Sequence, residues 1–214
     1  MRLFTYFRSS AAYRVRIALN LKGLAYESVP RDFMKNGGEH RLPEFLALNP
    51  QGLIPVLEDG QTVVSQSLAI MEYLDETHPQ VPLLPAGPAA RAQVRAMCQL
   101  IACDVHPLNN LRVLQYLKTR MGQDEISVAT WYRHWIGEGF AALETLVQRH
   151  SNSGEVCFGD RISMADACLV PQIYNARRFD TDLAPYPGLC GVSAKLESLL
   201  PFKQAAPENQ ADAR

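Results

Sequence analysis

The stretch Leu3-Phe4-Thr5-Tyr6-Phe7-Arg8-Ser9-Ser10-Ala11-Ala12-Tyr13-Arg14-Val15-Arg16-Ile17-Ala18-Leu19 decides the fold. Its first five residues are an apolar run that reads as a buried strand, and from Ser9-Ser10 onward the apolar residues recur at helical spacing. Two hydroxyls therefore stand where a strand hands over to a helix. The first turn of a helix leaves backbone N–H groups without partners, and the helix dipole favours an anion there. A plain N-cap at Ser9 or Ser10 accounts for the same residues.

Reading outward, Gly23 is a C-cap and Ala25 to Pro30 a second strand, so strand, helix and strand make a βαβ unit with parallel strands and a right-handed crossover. A polar loop, Arg31 to Arg41, leads to a short helix over Leu42 to Leu48, with Pro43 in its first turn. Gln51 to Val64 reads as a hairpin around Asp59-Gly60, because Asp-Gly suits tight two-residue turns. Pro55 opens its first strand, where the missing N–H confines it to an edge or a first position. A cis Ile54-Pro55 bond would leave the neighbouring backbone free to pair with an extended peptide-like ligand. Ser65 to Asp75 is a helix that starts with Gln66 and Ser67. This order, β-α-β-α-β-β-α, predicts a three-layer α/β unit over residues 1–78.

Composition then changes. His78 to Pro88 holds four prolines and reads as a linker, 79–88. Everything after it is helical in pattern. Ala90 to Tyr116 carries apolar residues three and four apart, with Pro107 expected to kink or split it near Cys103 to His106. Glu125 to Leu146 is a second long helix. Ser163 with Asp166 is a capping pair for a helix central to the bundle. Val192 to Leu200 is a short helix, and 207–214 reads as a loose tail. The expected fold class is thus α/β plus all-α, with an all-helical domain over 89–214.

Composition also excludes function classes. A net charge of -1 recruits neither nucleic acid nor an anionic membrane, and 47% hydrophobic with 20% charged residues is the balance of a folded globular chain. No apolar run approaches the roughly 18 residues of a spanning helix, and the run from Met1 directly into a strand leaves no room for a secretory signal. Five cysteines, odd in number and without a CxxC pair, point to reduced thiols and a cytoplasmic location. The five histidines lack metal-ligand spacing, so no metal is expected. There is no phosphate loop, no dinucleotide fingerprint and no serine elbow.

Four polar clusters remain: Arg8-Ser9-Ser10, Gln66-Ser67, His106 with Asn109, Asn110 and Arg112, and Arg177-Arg178. Arginine binds carboxylate bidentately, so a small dicarboxylate suits two such clamps. Adjacent arginines on a helix cannot point the same way, which leaves one of Arg177 and Arg178 to solvent. His106, just before Pro107, serves equally as a bridge between helices. The residues alone lead to a two-domain enzyme or binding protein for a small anion.

Ser9-Ser10 with Tyr13 to Leu19, Asn49-Pro50-Gln51-Gly52-Leu53-Ile54-Pro55, Gln66-Ser67-Leu68-Ala69-Ile70, Asp104 to Arg112, and Val170-Pro171-Gln172 with Arg178-Phe179 closely resemble the zeta class of glutathione transferases. The likeness extends over practically the whole chain. It implies a thioredoxin-like N-terminal domain, a helical C-terminal domain, a homodimer and glutathione as cofactor. It implies that Pro55 is cis, that Val56 supplies backbone pairing to the cysteinyl part, and that Gln66 and Ser67 take the γ-glutamyl end with Gln51 nearby. Ser9 matches the family's catalytic serine, with Ser10 beside the thiol. His106 and Asn110 belong to the same site, and His106 orients substrate or polarises an enolate. Arg8, Arg178 and Arg112 are the candidates for the carboxylates of a small dicarboxylate substrate.

The activity implied is cis–trans isomerisation of maleylacetoacetate in tyrosine and phenylalanine catabolism, with maleylpyruvate as the rival substrate. A transferase acting on small electrophiles such as α-haloacids, and a non-enzymatic scaffold, are the further alternatives. The family's motif commonly carries a cysteine after the serine pair, where this chain has Ala11. That argues against a protein-borne nucleophile and makes added glutathione indispensable.

Overall fold

The computed structural model describes residues 1–214, except for the side chain of Asn36. The chain forms two compact units, Met1–Leu83 together with Ser198–Arg214, and Leu84–Glu197. The sequence reading placed the last seventeen of these residues with the helical part; the structure packs them on the first unit instead.

In the first unit, β1 (Arg2–Thr5), α1 (Ser10–Leu21) and β2 (Glu27–Pro30) form the expected βαβ motif. After two 3₁₀ turns come α2 (Pro43–Leu48), β3 (Val56–Asp59), β4 (Thr62–Ser65) and α3 (Ser67–Thr77). The sheet order is β2-β1-β3-β4. β1 and β2 run parallel, while β3 is antiparallel to both β1 and β4. The hairpin turns on Gly60-Gln61, between the paired Asp59 and Thr62, with positive φ at Gly60 alone, the II′ pattern.

Apolar side chains of the sheet bury one face: Phe4, Phe45, Ile54 and Val56 form a cluster with Tyr6, Val29, Phe33 and Leu48 against it. The other notable feature of this core is charge. Arg14 and Arg16 of α1 are 1% and 0% exposed. Arg16 Nε donates to Ala205 O (2.9 Å), Nη1 to Thr5 Oγ1 (3.0 Å) and Tyr6 O (3.4 Å), and Nη2 to Phe7 O (3.1 Å). Burial pulls its guanidinium down to about 10, so it is still charged at neutral pH.

That guanidinium explains where the chain end lies. Ala205 closes α9 (Leu200–Ala205), which packs on α1. Asn20 Nδ2 adds a bond to Pro201 O at 2.9 Å. The stretch 207–214, expected to be loose, is tied down as well: Asp212 Oδ2 accepts from Phe7 N (2.9 Å), and Arg214 pairs with Asp32 (2.7 Å). The apolar content of these residues is too low for periodicity to reveal an attachment made by polar contacts. At the far ends of α1 and α3, the buried Lys22 donates to Asp75 Oδ1 (2.9 Å), His78 O and Val81 O.

The second unit holds α4 (Pro88–Gln99), α5 (Leu111–Thr119), α6 (Glu125–His150), α7 (Met164–Arg178) and α8 (Pro187–Glu197). α8 begins five residues before the expected Val192. α7 is its centre, buried along almost its whole length despite Pro171 inside it. Its capping box is complete: Ser163 Oγ caps the helix, and Asp166 accepts from Ser163 N and from Cys157 N, both at 2.7 Å. Glu144 of α6 performs the corresponding task for α8, accepting from Gly188 N (2.9 Å) and Leu189 N (2.8 Å).

Arg16→Met keeps the apolar stem but removes the donor to four acceptors, of which Tyr6 O keeps another partner in Ser9 N, and is expected to lower stability by about 3 kcal/mol. Urea unfolding checks it, and an unchanged midpoint would show that the carbonyls find other partners.

Candidate functional site

In the first unit the structure gathers the sequence-predicted residues around two helix starts. Ser9 caps α1, its Oγ accepting from Ala12 N at 3.2 Å, and its own amide donates to Tyr6 O at 2.9 Å. The cap uses a lone pair of the hydroxyl, so the O–H proton is not spent on it. Ser10, the first residue of the helix, is buried. Neither α1 nor α3 has an acidic residue in its first turn. Both positive helix ends therefore lack a neutralising carboxylate in their own first turn.

The two starts are joined by a residue that the sequence reading missed. Arg14 Nη1 donates to Ser67 Oγ at 3.2 Å across the unit, and Ser67 is 6% exposed. The available signal was a charge interrupting the apolar face of α1. Gln66, just before Ser67, has φ 73°, a left-handed conformation for a residue with a side chain. It reaches Gln51 Oε1 with its Nε2 at 2.7 Å. Gln51 is in turn placed by Asn49, whose side chain accepts from Gln51 N (3.1 Å) and donates to Leu53 O (2.7 Å). The Ile54-Pro55 bond is cis, and Val56 opens β3 directly after it, in register with Ser65. Gln51, Pro55, Val56, Gln66 and Ser67 thus belong to one contiguous patch.

Arg8 immediately precedes Ser9. It is exposed, lies over the Phe7 ring (4.9 Å from Cζ to centroid) and donates to Arg214 O at 3.3 Å.

In the second unit, α4 passes into a π-helical segment, Leu100–Val105, that delivers His106. The helix therefore breaks before Pro107, through a wide turn of the kind found at functional sites. A Cβ on Gly139 of α6 would overlap Val105 Cγ2, so only glycine lets this segment sit on α6. His106 is half-buried. Asn110 caps α5 through Arg112 N (3.1 Å), and Arg112 is exposed in the first turn.

One stretch of α6 holds both polar clusters of this unit. Trp131 Nε1 donates to Leu108 O (2.9 Å), and Asn109 Nδ2 donates to Tyr132 O (3.1 Å). The Tyr132 ring stacks on Phe179 at 3.7 Å and 17°, and Arg133 Nε donates to Phe179 O at 3.0 Å. Arg178 lies beside Phe179 (5.1 Å). Burial raises the Tyr132 phenol, and the charge of Arg178 acts against that rise. Residues 106–110 and Arg178 are therefore brought together on α6. Arg177 is not part of this group, since its Nη1 binds both carboxylate oxygens of Glu197, at 2.8 and 3.0 Å.

All five cysteines lie in the second unit: Cys98, Cys157 and Cys168 are buried, Cys190 is half-buried and Cys103 is exposed. Among the described residues no cluster of His, Cys, Asp or Glu is arranged to hold a metal, and no helix is long and apolar enough to cross a membrane.

Residues 8–77 match the family model for the glutathione S-transferase N-terminal domain. Over 99% of its length the chain is 54% identical to a probable maleylacetoacetate isomerase of Vibrio cholerae, covering 97% of that protein. The chain belongs to the zeta-class glutathione S-transferases. A solved maleylpyruvate isomerase, described as a bacterial zeta-class glutathione S-transferase, superposes with a TM-score of 0.96 at 44% identity over the whole of both chains. A maleylacetoacetate isomerase from Anaeromyxobacter dehalogenans 2CP-1, with dicarboxyethyl glutathione and citrate in its active site, gives 0.86 at 40% identity, over 100% of this chain and 97% of that one.

Family membership leaves the seating of the π-helical segment as a property of this chain to be measured. Gly139→Ala is expected to cost about 2 kcal/mol through overlap with Val105. Gly137→Ala is the control, since its Cβ meets nothing closer than Tyr186 Oη at 3.6 Å; relief of helix entropy should make it neutral or stabilising by about 0.5–1 kcal/mol. Equal urea midpoints for the two variants would remove the steric argument.

Proposed function

We propose that this chain is a glutathione-dependent isomerase that converts maleylacetoacetate to fumarylacetoacetate. The observation that carries the reading is the Ser9 cap. It uses a lone pair of Oγ on a helix start free of acidic residues, so a hydroxyl proton and a positive helix end are both available to a sulfur anion. The patch around it fits glutathione by its chemistry. Gln66, Ser67 and Gln51 suit the charged γ-glutamyl end, the backbone of Pro55-Val56 suits the cysteinyl amide, and Ser9 with Ser10 suits the sulfur.

When bound, glutathione supplies a thiolate that adds reversibly to the cis double bond, permits rotation about it and is then expelled. What the chain contributes is ionisation, orientation and charge neutralisation. Lowering a thiol pKa by about 2 units requires about 2.7 kcal/mol. A helix terminus supplies about 0.3–2 and a charge-assisted hydroxyl bond about 1.5–3, so the two together suffice. Arg178 and Arg8 neutralise the substrate carboxylates, with Arg112 as a further contributor. His106 and Asn110 orient the keto end, where His106 holds the developing enolate oxygen. The absence of any cysteine from the first unit makes the reaction depend on added thiol.

Dicarboxyethyl glutathione in the Anaeromyxobacter relative is the kind of ligand such a site is built to hold, a dicarboxylate joined to the tripeptide. Maleylpyruvate is the second reading, favoured by the likeness to the solved maleylpyruvate isomerase. The physiological setting that goes with the first reading is a cytoplasmic homodimer in tyrosine and phenylalanine breakdown.

The deciding experiment supplies purified protein with each cis keto diacid, with and without glutathione, and follows the conjugated enol by absorbance. Turnover without glutathione, or of neither acid, overturns the proposal. Ser9→Ala is expected to raise the pH at which bound thiolate appears by about 1–2 units, read by ultraviolet titration; an unaltered curve transfers the role to Ser10 or to the helix alone. Arg178→Met is expected to raise the substrate KM at least about tenfold while glutathione affinity, from calorimetry, stays put. Arg177→Met should leave both within about twofold, since that side chain is committed to Glu197.

A further inference from the structure

The Tyr6-Phe7 peptide group is held at both ends. Its carbonyl accepts from Ser9 N (2.9 Å) and from Arg16 Nη1 (3.4 Å). Its N–H donates to Asp212 Oδ2 (2.9 Å), 205 residues along the chain. The segment that carries this carboxylate is itself tied down: Arg214, two residues on, pairs with Asp32 at 2.7 Å and bonds Tyr6, while its backbone oxygen accepts from Arg8 Nη2 at 3.3 Å. Asp212 Oδ1 is buried without a hydrogen-bond partner among the described residues, and its charge acts on Arg16. An ionised acceptor on the N–H of a peptide strengthens its carbonyl as an acceptor, because the two bonds polarise one another. The Ser9 amide therefore hangs from a peptide plane whose tilt is set from outside by Asp212.

We propose that Asp212 is a positioning residue for Ser9: by holding the Phe7 N–H it fixes the Tyr6-Phe7 peptide plane, and with it the direction in which the Ser9 hydroxyl points. The inference rests on the role given to Ser9 under the proposed function. The last residues of the sequence thereby act on the reaction without touching the reactants. They also place the backbone oxygen that engages Arg8, a candidate carboxylate ligand.

Charge and position act in opposite directions here, which makes the proposal separable from simple electrostatics. Removing a nearby negative charge favours the thiolate, whereas loosening Ser9 disfavours it. Asp212→Asn removes the charge and keeps an acceptor oxygen; Asp212→Ala removes both. In Asp212→Ala, half-ionisation of bound glutathione is expected about one unit higher than in wild type, with kcat at neutral pH down about tenfold and the KM of the keto diacid within about twofold. Asp212→Asn should titrate at or slightly below wild type and restore kcat. A folded Asp212→Ala protein with the wild-type titration and kcat overturns the proposal, as does an Asn variant that behaves like the Ala variant.

Should Asp212→Ala not fold, Arg214→Ala decides, because it frees the strap from Asp32 and Tyr6 while Asp212 stays in place. The expected change is a smaller rise in the same titration, about 0.3–0.5 unit, and no rise counts against the proposal. Wild-type calorimetry separates the two readings. A wild-type protein that ignores glutathione sinks the proposed function itself, whereas one that binds and ionises it while the variants match it sinks only the role of Asp212.

Discussion

The first unit depends on a charge that cannot leave its core. Arg16 is fully buried, and desolvating a guanidinium is tolerable only when its N–H groups are met by well-placed acceptors. Those acceptors are Thr5, Tyr6, Phe7 and Ala205, so one side chain specifies the end of β1, the turn into α1 and the seating of α9. Any arrangement in which α9 drifts away, or the turn relaxes, leaves part of that guanidinium unpaired. The turn so constrained is the one that presents Ser9, so the rigidity of that helix start has a source in the core behind it.

The helix starts divide by what fills them. α6 is capped by Asp124, α7 by Ser163 with Asp166, and the first N–H groups of α8 by Glu144. In each case a carboxylate of the protein takes up the positive end. α1 and α3 begin with Ser9 and Gln66 and carry no acid in the first turn, as is also true of α4 and α5, which begin after Gly87 and Asn110. A helix end neutralised internally has little left to offer an anion, and a neutral cap leaves the dipole unspent.

Much of this was legible in the sequence where local chemistry decides. The strand-to-helix handover at Ser9, the Asp59-Gly60 hairpin, the Ser163 capping box and the break near Pro107 each follow from residue types at short spacing. What escaped was long-range and polar. Nothing near Ala205 or Asp212 shows that one awaits the guanidinium of Arg16 and the other the amide of Phe7, because hydrogen bonds across some 190 to 205 residues leave no periodicity. The partner of Arg14 was hidden for the same reason, although a charge on the apolar face of α1 marked the place. The cis bond at Pro55 and the positive φ of Gln66 are backbone states, and residue identity alone leaves them open.

The arginines sort by the partners they already have. Arg177 Nη1 lies on both oxygens of the Glu197 carboxylate, in an ion pair that is itself exposed. Arg178 rests against the Phe179 ring, and Arg8 against the Phe7 ring and the backbone oxygen of Arg214 at 3.3 Å. Cation–π contacts at exposed positions are worth about 0.5–1 kcal/mol, about as much as an exposed ion pair. What separates the neighbours Arg177 and Arg178 is therefore occupancy and not strength: a carboxylate already lies on the first, a ring on the second. Two adjacent arginines at one helix end are thus told apart by what already holds them, a distinction that residue identity alone does not make.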